Sequence, residues 1–380
     1  MQSVKSVAPL SEPLFLLDVD GTLIEDRGYR HALVAAAQTI CGKRGLPTHA
    51  PTDHEINVLH SCGFSNEWDS IPFIVGINLL DAHCGNIARP DFGAWAAKTK
   101  AFTGLPNERA RDALLAEAPS ALHREIHTLL DDVRDPRASE TTRLLYTFVL
   151  GSRRFEEHYG LRAEIETMSL LETLDVPLLS AAGREIVLAH HSAIYTARPS
   201  LPPEGKPGLY QTPEAEIAQM QLELTQVPCM GLGPMQWLVD QFGGNLWGYA
   251  KPGPVQAIAA MLAATGVPIK DAARASYETL RVFSSTHATL NKETLRVLTS
   301  LDNMTVFVFE DNAGGVRAAC NAAALLAKAG VNVTVVGYGI AKDDAKRTAL
   351  AQVCERVFDD VNEALAAIPL TQPSPRGSGL

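Results

Sequence analysis

The pattern of apolar and polar positions changes character twice along the chain. Near the start, Leu14-Phe15-Leu16-Leu17 is an unbroken apolar run bounded by Pro13 and by Asp18-Val19-Asp20-Gly21. A short run that is apolar on both faces and closed by turn formers predicts a buried strand ending in a loop. From about residue 29 to about 190 the spacing is helical instead. Apolar residues recur every three or four positions over 32–40, 69–80, 109–115, 121–130 and 141–155, and no strand is expected in this stretch. Gly160, directly after Phe155-Glu156-Glu157-His158-Tyr159, reads as a helix C-cap.

Strand-like runs resume at 192–195, 227–232, 305–309, 331–336 and 356–358, with helical segments at 213–224, 254–264, 315–329 and 343–355 between them. Strands alternating with helices predict βαβ units and a mostly parallel sheet covered on both faces. The expected fold is therefore α/β: a doubly wound core of residues 13–25 and 176–367, with an enlarged all-α insertion of residues 26–175 just after the first strand. Residues 199–208 (PSLPPEGKPG) read as a surface loop, 267–304 as a smaller polar helical insertion, and 368–380 as a flexible tail.

Composition narrows the class. With 380 residues, 46% hydrophobic and 20% charged, the chain has room for two domains and the make-up of an ordinary globular protein. A formal charge of −10 argues against a nucleic-acid backbone or an anionic membrane surface as partner. It does not exclude a small anionic substrate, because one metal ion and one lysine invert the sign locally. No apolar run approaches a membrane span, and the opening MQSVKSVAPLSEP lacks the basic-then-apolar layout of a signal peptide. The six cysteines are scattered without a Cys-x-x-Cys pair, so a cytoplasmic protein with reduced, buried thiols and no zinc is expected.

The candidate chemistry begins at Asp18-Val19-Asp20-Gly21-Thr22-Leu23. In an open parallel sheet, ligands sit at the carboxyl ends of the strands. Two aspartates at i and i+2 on such an end can face one pocket, one as carboxylate nucleophile, the other as general acid and base. The competing reading is a turn with two solvated aspartates. Three later features weigh against it. Thr196 and Ala197 end the apolar strand Ala193-Ile194-Tyr195, where a hydroxyl and the following amide can hold a phosphoryl oxygen. Lys251-Pro252 stands just before the helix that opens at Pro254, and its ammonium can offset negative charge. Glu310-Asp311 ends the strand Val306-Phe307-Val308-Phe309, and two acids at a buried strand end repel unless a cation joins them. Hard oxygen ligands beside a phosphate favour Mg²⁺.

These four motifs, in this order, resemble the haloacid dehalogenase (HAD) superfamily. The Phe309-Glu310-Asp311-Asn312-x-x-Gly315 form is similar to the branch with a helical cap after the first strand, which includes β-phosphoglucomutase-like and phosphoglycolate phosphatase-like enzymes. Within the insertion, Gly28-Tyr29-Arg30-x-Ala32 and Gly63-Phe64-Ser65-Asn66-Glu67-Trp68-Asp69 resemble a subgroup of that branch, the second segment matching its substrate-specificity loop. About 82–150 has no counterpart in the resemblance.

The resemblance implies a phosphatase. Asp18 would form an aspartyl-phosphate, Asp20 would act as acid and then base, and Thr196 and Lys251 would stabilise the transferring group. Mg²⁺ would be held by Asp18, the Asp20 carbonyl, Glu310 and Asp311. Ala197, Arg198, Arg30 and Asn66 would contact a small phosphorylated metabolite, Arg30 and Arg198 as cations. An acid at position 20 favours phosphate esters over carbon–halogen or carbon–phosphorus bonds. Two alternatives stand beside this: a phosphomutase of the same family, and a HAD-like binding protein without turnover.

Overall fold

The computed structural model describes residues 13–64, 66–85, 88–284 and 289–369. The chain divides into two units at Glu25/Asp26 and at Asp175/Val176. In the first unit, Leu14–Leu17 forms strand β1, every residue of it buried. Ile24–Glu25 (β2) pairs antiparallel with Val176–Pro177 (β3) as a two-residue ribbon. Strand β3 lies inside the stretch expected to hold no strand; two residues are too few to show a period of two.

The main sheet adds His191–Tyr195 (β4), Cys229–Met230 (β5), Met304–Glu310 (β6), Val333–Ile340 (β7) and Arg356–Phe358 (β8). Its order is β5-β4-β1-β6-β7-β8, with every pair parallel. The register places Leu17 between Ile194 and Phe309. The strands read as continuous apolar runs because both faces are covered. Phe15, Leu17, Phe307 and Phe309 share one core with Val187, Ala218, Val361 and Leu365, from the helices Ala181–Ala189, Glu214–Gln221 and Val361–Ala366. The alternate residues face the helices Pro254–Ala264 and Ala313–Lys328, which pack on β1, β4 and β6.

Several boundaries differ from the sequence reading. Strand β5 covers only two residues of 227–232, because Gly231 leads into an unexpected helix, Leu232–Phe242. Strand β7 runs to Ile340, four residues past the expected end; Gly337 and Gly339 sit inside it against Val316 and Leu350. The stretch 267–304 is not an appendage: its helix Ile269–Phe283 packs along Pro254–Ala264 and Ala313–Lys328. Ile368, assigned to the tail, is buried in the core, and residues 370–380 lie outside the described ones.

The second unit is helical throughout its described residues. Its central helix, Glu67–His83, is buried along thirteen consecutive positions from Trp68 to Leu80. Helices Gly28–Lys43, Pro106–Glu117, His123–Leu130 and Glu140–Leu150 pack around it. The helix expected over 141–155 is two, Glu140–Leu150 and Ser152–Tyr159, broken at Gly151 (φ +79°). Gly160 caps the second in the left-handed conformation.

All six cysteines are free, but only Cys41 and Cys62 are buried; Cys84 and Cys320 are exposed. Among the described residues no helix is long and apolar enough to cross a membrane.

Candidate functional site

In the sheet order the chain leaves β1 toward β4 on one side and β6 on the other. That reversal opens a crevice beyond the carboxyl end of β1, the position where open α/β sheets bind ligands. Asp18 sits there, 7% exposed, its N–H donating to the Phe309 carbonyl at 3.0 Å. The chain then turns sharply: the Val19 carbonyl accepts from Leu23 and Ile24 N–H, both at 2.9 Å. Gly21 makes the turn possible, with φ +73° and so little space that a Cβ would lie 2.4 Å from Asp311 Oδ2.

The ends of β4 and β6 bring the other groups. Thr196 is fully buried and its hydroxyl accepts from Arg198 N–H at 3.1 Å, which leaves the hydroxyl proton to donate. Lys251 Nζ lies 2.8 Å from Asp18 Oδ1, 2.5 Å from Glu310 Oε1 and 4.0 Å from the centre of the Tyr195 ring. The lysine is thus held on three sides, by two carboxylates and an aromatic face. Glu310 is 1% exposed, and Gly315 explains its course: a Cβ there would lie 1.7 Å from Glu310 Oε1. Asp311 pairs with Lys346 at 2.6 Å.

Carboxylate oxygens of Asp18, Glu310 and Asp311 all lie within 4.8 Å of one another. Burial pushes the Asp18 carboxyl up to about 6; Asp311 and Asp20 add to this while Lys251 opposes it. Burial and the neighbouring Asp18 push Glu310 well above the usual carboxylate range. Burial alone would lower Lys251, but its two carboxylates outweigh that and hold it cationic. Asp18 and Glu310, buried and sharing the Lys251 ammonium, and the partly exposed Asp311 bring together three hard oxygen donors that could hold a metal ion.

Asp20 differs from its neighbours. Its carboxylate faces Arg198, whose Nε donates to Oδ1 at 2.9 Å and Oδ2 at 3.1 Å and whose Nη2 donates to Oδ1 at 2.5 Å. Arg198, read from the sequence as a cation for the substrate, is 2% exposed and engaged with an aspartate. Arg30 and Asn66 belong to the helical unit. There Arg30 donates to Asn57 Oδ1 at 3.0 Å, and Asn66 precedes the helix Glu67–His83 without a side-chain capping bond. Ser65 lies outside the described residues. His190 and His191 bond backbone carbonyls of Ile186 and Ala264, consistent with a structural role.

Sequence reasoning missed Gln256. Fully buried, its Nε2 donates to the Thr196 carbonyl at 2.7 Å and the Met230 carbonyl at 2.8 Å, and its Oε1 accepts from Lys251 N–H at 3.1 Å. One amide therefore ties the ends of β4 and β5 to the lysine loop. The available signal was a lone glutamine in the otherwise apolar helix PVQAIAAMLAA. Lys346 was missed as well, standing 35 residues from Asp311 in sequence, and Tyr195 was read only as part of a strand.

No family model matches the chain, and no curated protein matches it. Among solved structures it is similar to an X-ray structure of a Northeast Structural Genomics Consortium target, with a TM-score of 0.55 at 15% identity. The match covers 94% of this chain and 98% of that one. The likeness speaks to the fold and not to chemistry. It agrees with an α/β protein built on a parallel, Rossmann-like sheet.

Proposed function

We propose that the protein is a hydrolase of small phosphate monoesters, a phosphatase of the HAD type, working through Asp18 as nucleophile. The observation that carries this reading is the meeting of Asp18, Thr196, Lys251, Glu310 and Asp311 at the carboxyl ends of three adjacent strands. Phosphoryl transfer needs position and charge more than covalent chemistry, and this group of side chains supplies both.

Asp18 attacks phosphorus as the ester oxygen departs, and Asp20 delivers the proton that the leaving oxygen takes. In the second half Asp20 removes a proton from water, the water oxygen bonds to phosphorus, and the bond to Asp18 breaks to release phosphate. Lys251 offsets charge on the nucleophile and on the phosphoryl oxygens, and the Thr196 hydroxyl donates to one of them. Asp18, Glu310, Asp311 and the Asp20 carbonyl are the groups to hold Mg²⁺, which supplies a counter-charge to a phosphoryl oxygen when bound. An acid at position 20 separates this chemistry from carbon–halogen cleavage, where no leaving oxygen needs a proton.

The test is Mg²⁺-dependent hydrolysis of p-nitrophenyl phosphate by wild type and Asp18→Asn side by side. Wild type should turn over, and the variant should lose at least about a thousandfold in kcat, comparable to loss of a nucleophile. Turnover by Asp18→Asn near the wild-type rate would refute the assignment.

A further inference from the structure

Arg198 stands two residues beyond Thr196, and its guanidinium crosses to Asp20, 178 residues away in sequence. Among the described residues it is the largest fully buried side chain, whereas the Asp20 side chain keeps 33% of its surface exposed. Burying a guanidinium is costly unless it is paired and bonded. The bonds are also uneven. Oδ1 receives two, from Nε at 2.9 Å and Nη2 at 2.5 Å; Oδ2 receives only the longer one from Nε, at 3.1 Å. One oxygen of Asp20 is anchored, and the other is left to work. The same residue's backbone N–H bonds the Thr196 hydroxyl at 3.1 Å. A single buried residue thereby sets two groups of the crevice.

Resting on the phosphatase reading above, we infer that Arg198 is a positioning residue for Asp20: it pins Oδ1 and so aims Oδ2 at the leaving oxygen. It touches neither substrate nor the reacting atoms. A planar guanidinium bonding through two nitrogens fixes the rotation of a carboxylate, which the point charge of a lysine does not. Glycine or alanine at 198 would leave Asp20 free to rotate into solvent.

The consequence lies in how the rate depends on the leaving group. A good leaving group departs without a proton, and a poor one needs the acid. The experiment compares kcat/KM for p-nitrophenyl phosphate and phenyl phosphate, with Mg²⁺, in wild type, Arg198→Met and Arg198→Lys. General acid catalysis is worth about 10²–10⁴-fold. Arg198→Met should therefore lose at least about tenfold more on phenyl phosphate than on p-nitrophenyl phosphate, with the lysine variant in between. On an Asp20→Asn background, Arg198→Met should cost little further, since the two residues act as one unit. Equal losses on both esters, a rise in KM at constant kcat, or a full additional loss on the Asp20→Asn background would each overturn the inference. If Arg198→Met does not fold, Arg198→Lys carries the same comparison.

A second readout separates this from failure of the phosphatase reading. In a crystal structure of Arg198→Met or Arg198→Lys, the Asp20 carboxylate should leave its wild-type rotamer. If wild type hydrolyses neither ester, the phosphatase reading falls, while the Asp20 position still decides whether Arg198 orients it. An unmoved Asp20 would overturn the positioning role in either case.

Discussion

Gln256→Leu is the substitution whose cost can be worked most directly from the structure. The change keeps the approximate shape of a side chain with no exposed surface, so a cavity is a minor factor. What it removes is three hydrogen bonds, and the partners fare differently. The Met230 carbonyl keeps a second donor, Thr196 N–H at 3.3 Å. The Thr196 carbonyl and the Lys251 N–H lose the bonds they make to Gln256. A buried polar group left unsatisfied costs about 1–3 kcal/mol. Two of them place the loss at about 2–6 kcal/mol. The sheet unit contains Trp237 and Trp247, and the helical unit Trp68 and Trp95. Urea unfolding followed by tryptophan fluorescence, in a background carrying Trp68→Phe and Trp95→Phe, isolates the relevant transition. A loss below about 0.5 kcal/mol, within the range of neutral surface changes, would refute the argument that this amide joins β4, β5 and the lysine loop.

Gly315→Ala should move Glu310 off Lys251, because the added Cβ falls 1.7 Å from its Oε1; the overpacking costs about 1–3 kcal/mol. Thermal unfolding with and without Mg²⁺ should show a smaller metal-induced rise in Tm than in wild type, and an unchanged rise would refute the role of Gly315. In the helical unit, burial raises the Glu55 carboxyl, but bonds from Arg89, from Thr52 and from the Phe92 N–H outweigh it and hold the pKa at about 2, against an ordinary 4.5. The folded value is depressed, so this stabilisation is present in full above pH 4.5 and is lost as pH falls from there through about 2. The loss amounts to about 1–3 kcal/mol after allowance for the partly exposed Arg89. The pH dependence of urea midpoints for wild type and Glu55→Gln should converge at low pH, and parallel curves would contradict it.

The sheet was legible where strands are buried on both faces. Leu14–Leu17, His191–Tyr195 and Met304–Glu310 hold short, mostly apolar runs, and it is their length that excludes a helix. The helix Leu232–Phe242 was illegible because Gly233 and Pro234 read as breakers. Both fall in its first turn, where a missing N–H removes no intrahelical bond. The two-residue strands β2 and β3 are made by their partners and carry no pattern of their own. In the crevice, the acids were visible because charged residues at apolar strand ends need a reason, and Lys251 through its place in the order of motifs. Gln256 and the true partner of Arg198 were not, because each acts across a sequence distance that spacing does not encode.

The charges of the crevice explain why those unseen residues matter. Four carboxylates, Asp18, Asp20, Glu310 and Asp311, gather in a protein already ten charges negative. Three cations answer them: Lys251 between Asp18 and Glu310, Arg198 on Asp20, and Lys346 on Asp311. Burial first, and then the neighbouring carboxylates, raise the pKa values of Asp18 and Glu310. If the protein is the proposed phosphatase, a divalent cation and a phosphate dianion entering together would leave the count unchanged, with no new uncompensated charge. Either one alone shifts the balance by two. On the proposed phosphatase reading, metal and phosphate should therefore each tighten the other's binding, and phosphate titrations with and without Mg²⁺ that gave the same affinity would refute this reading of the pairing pattern.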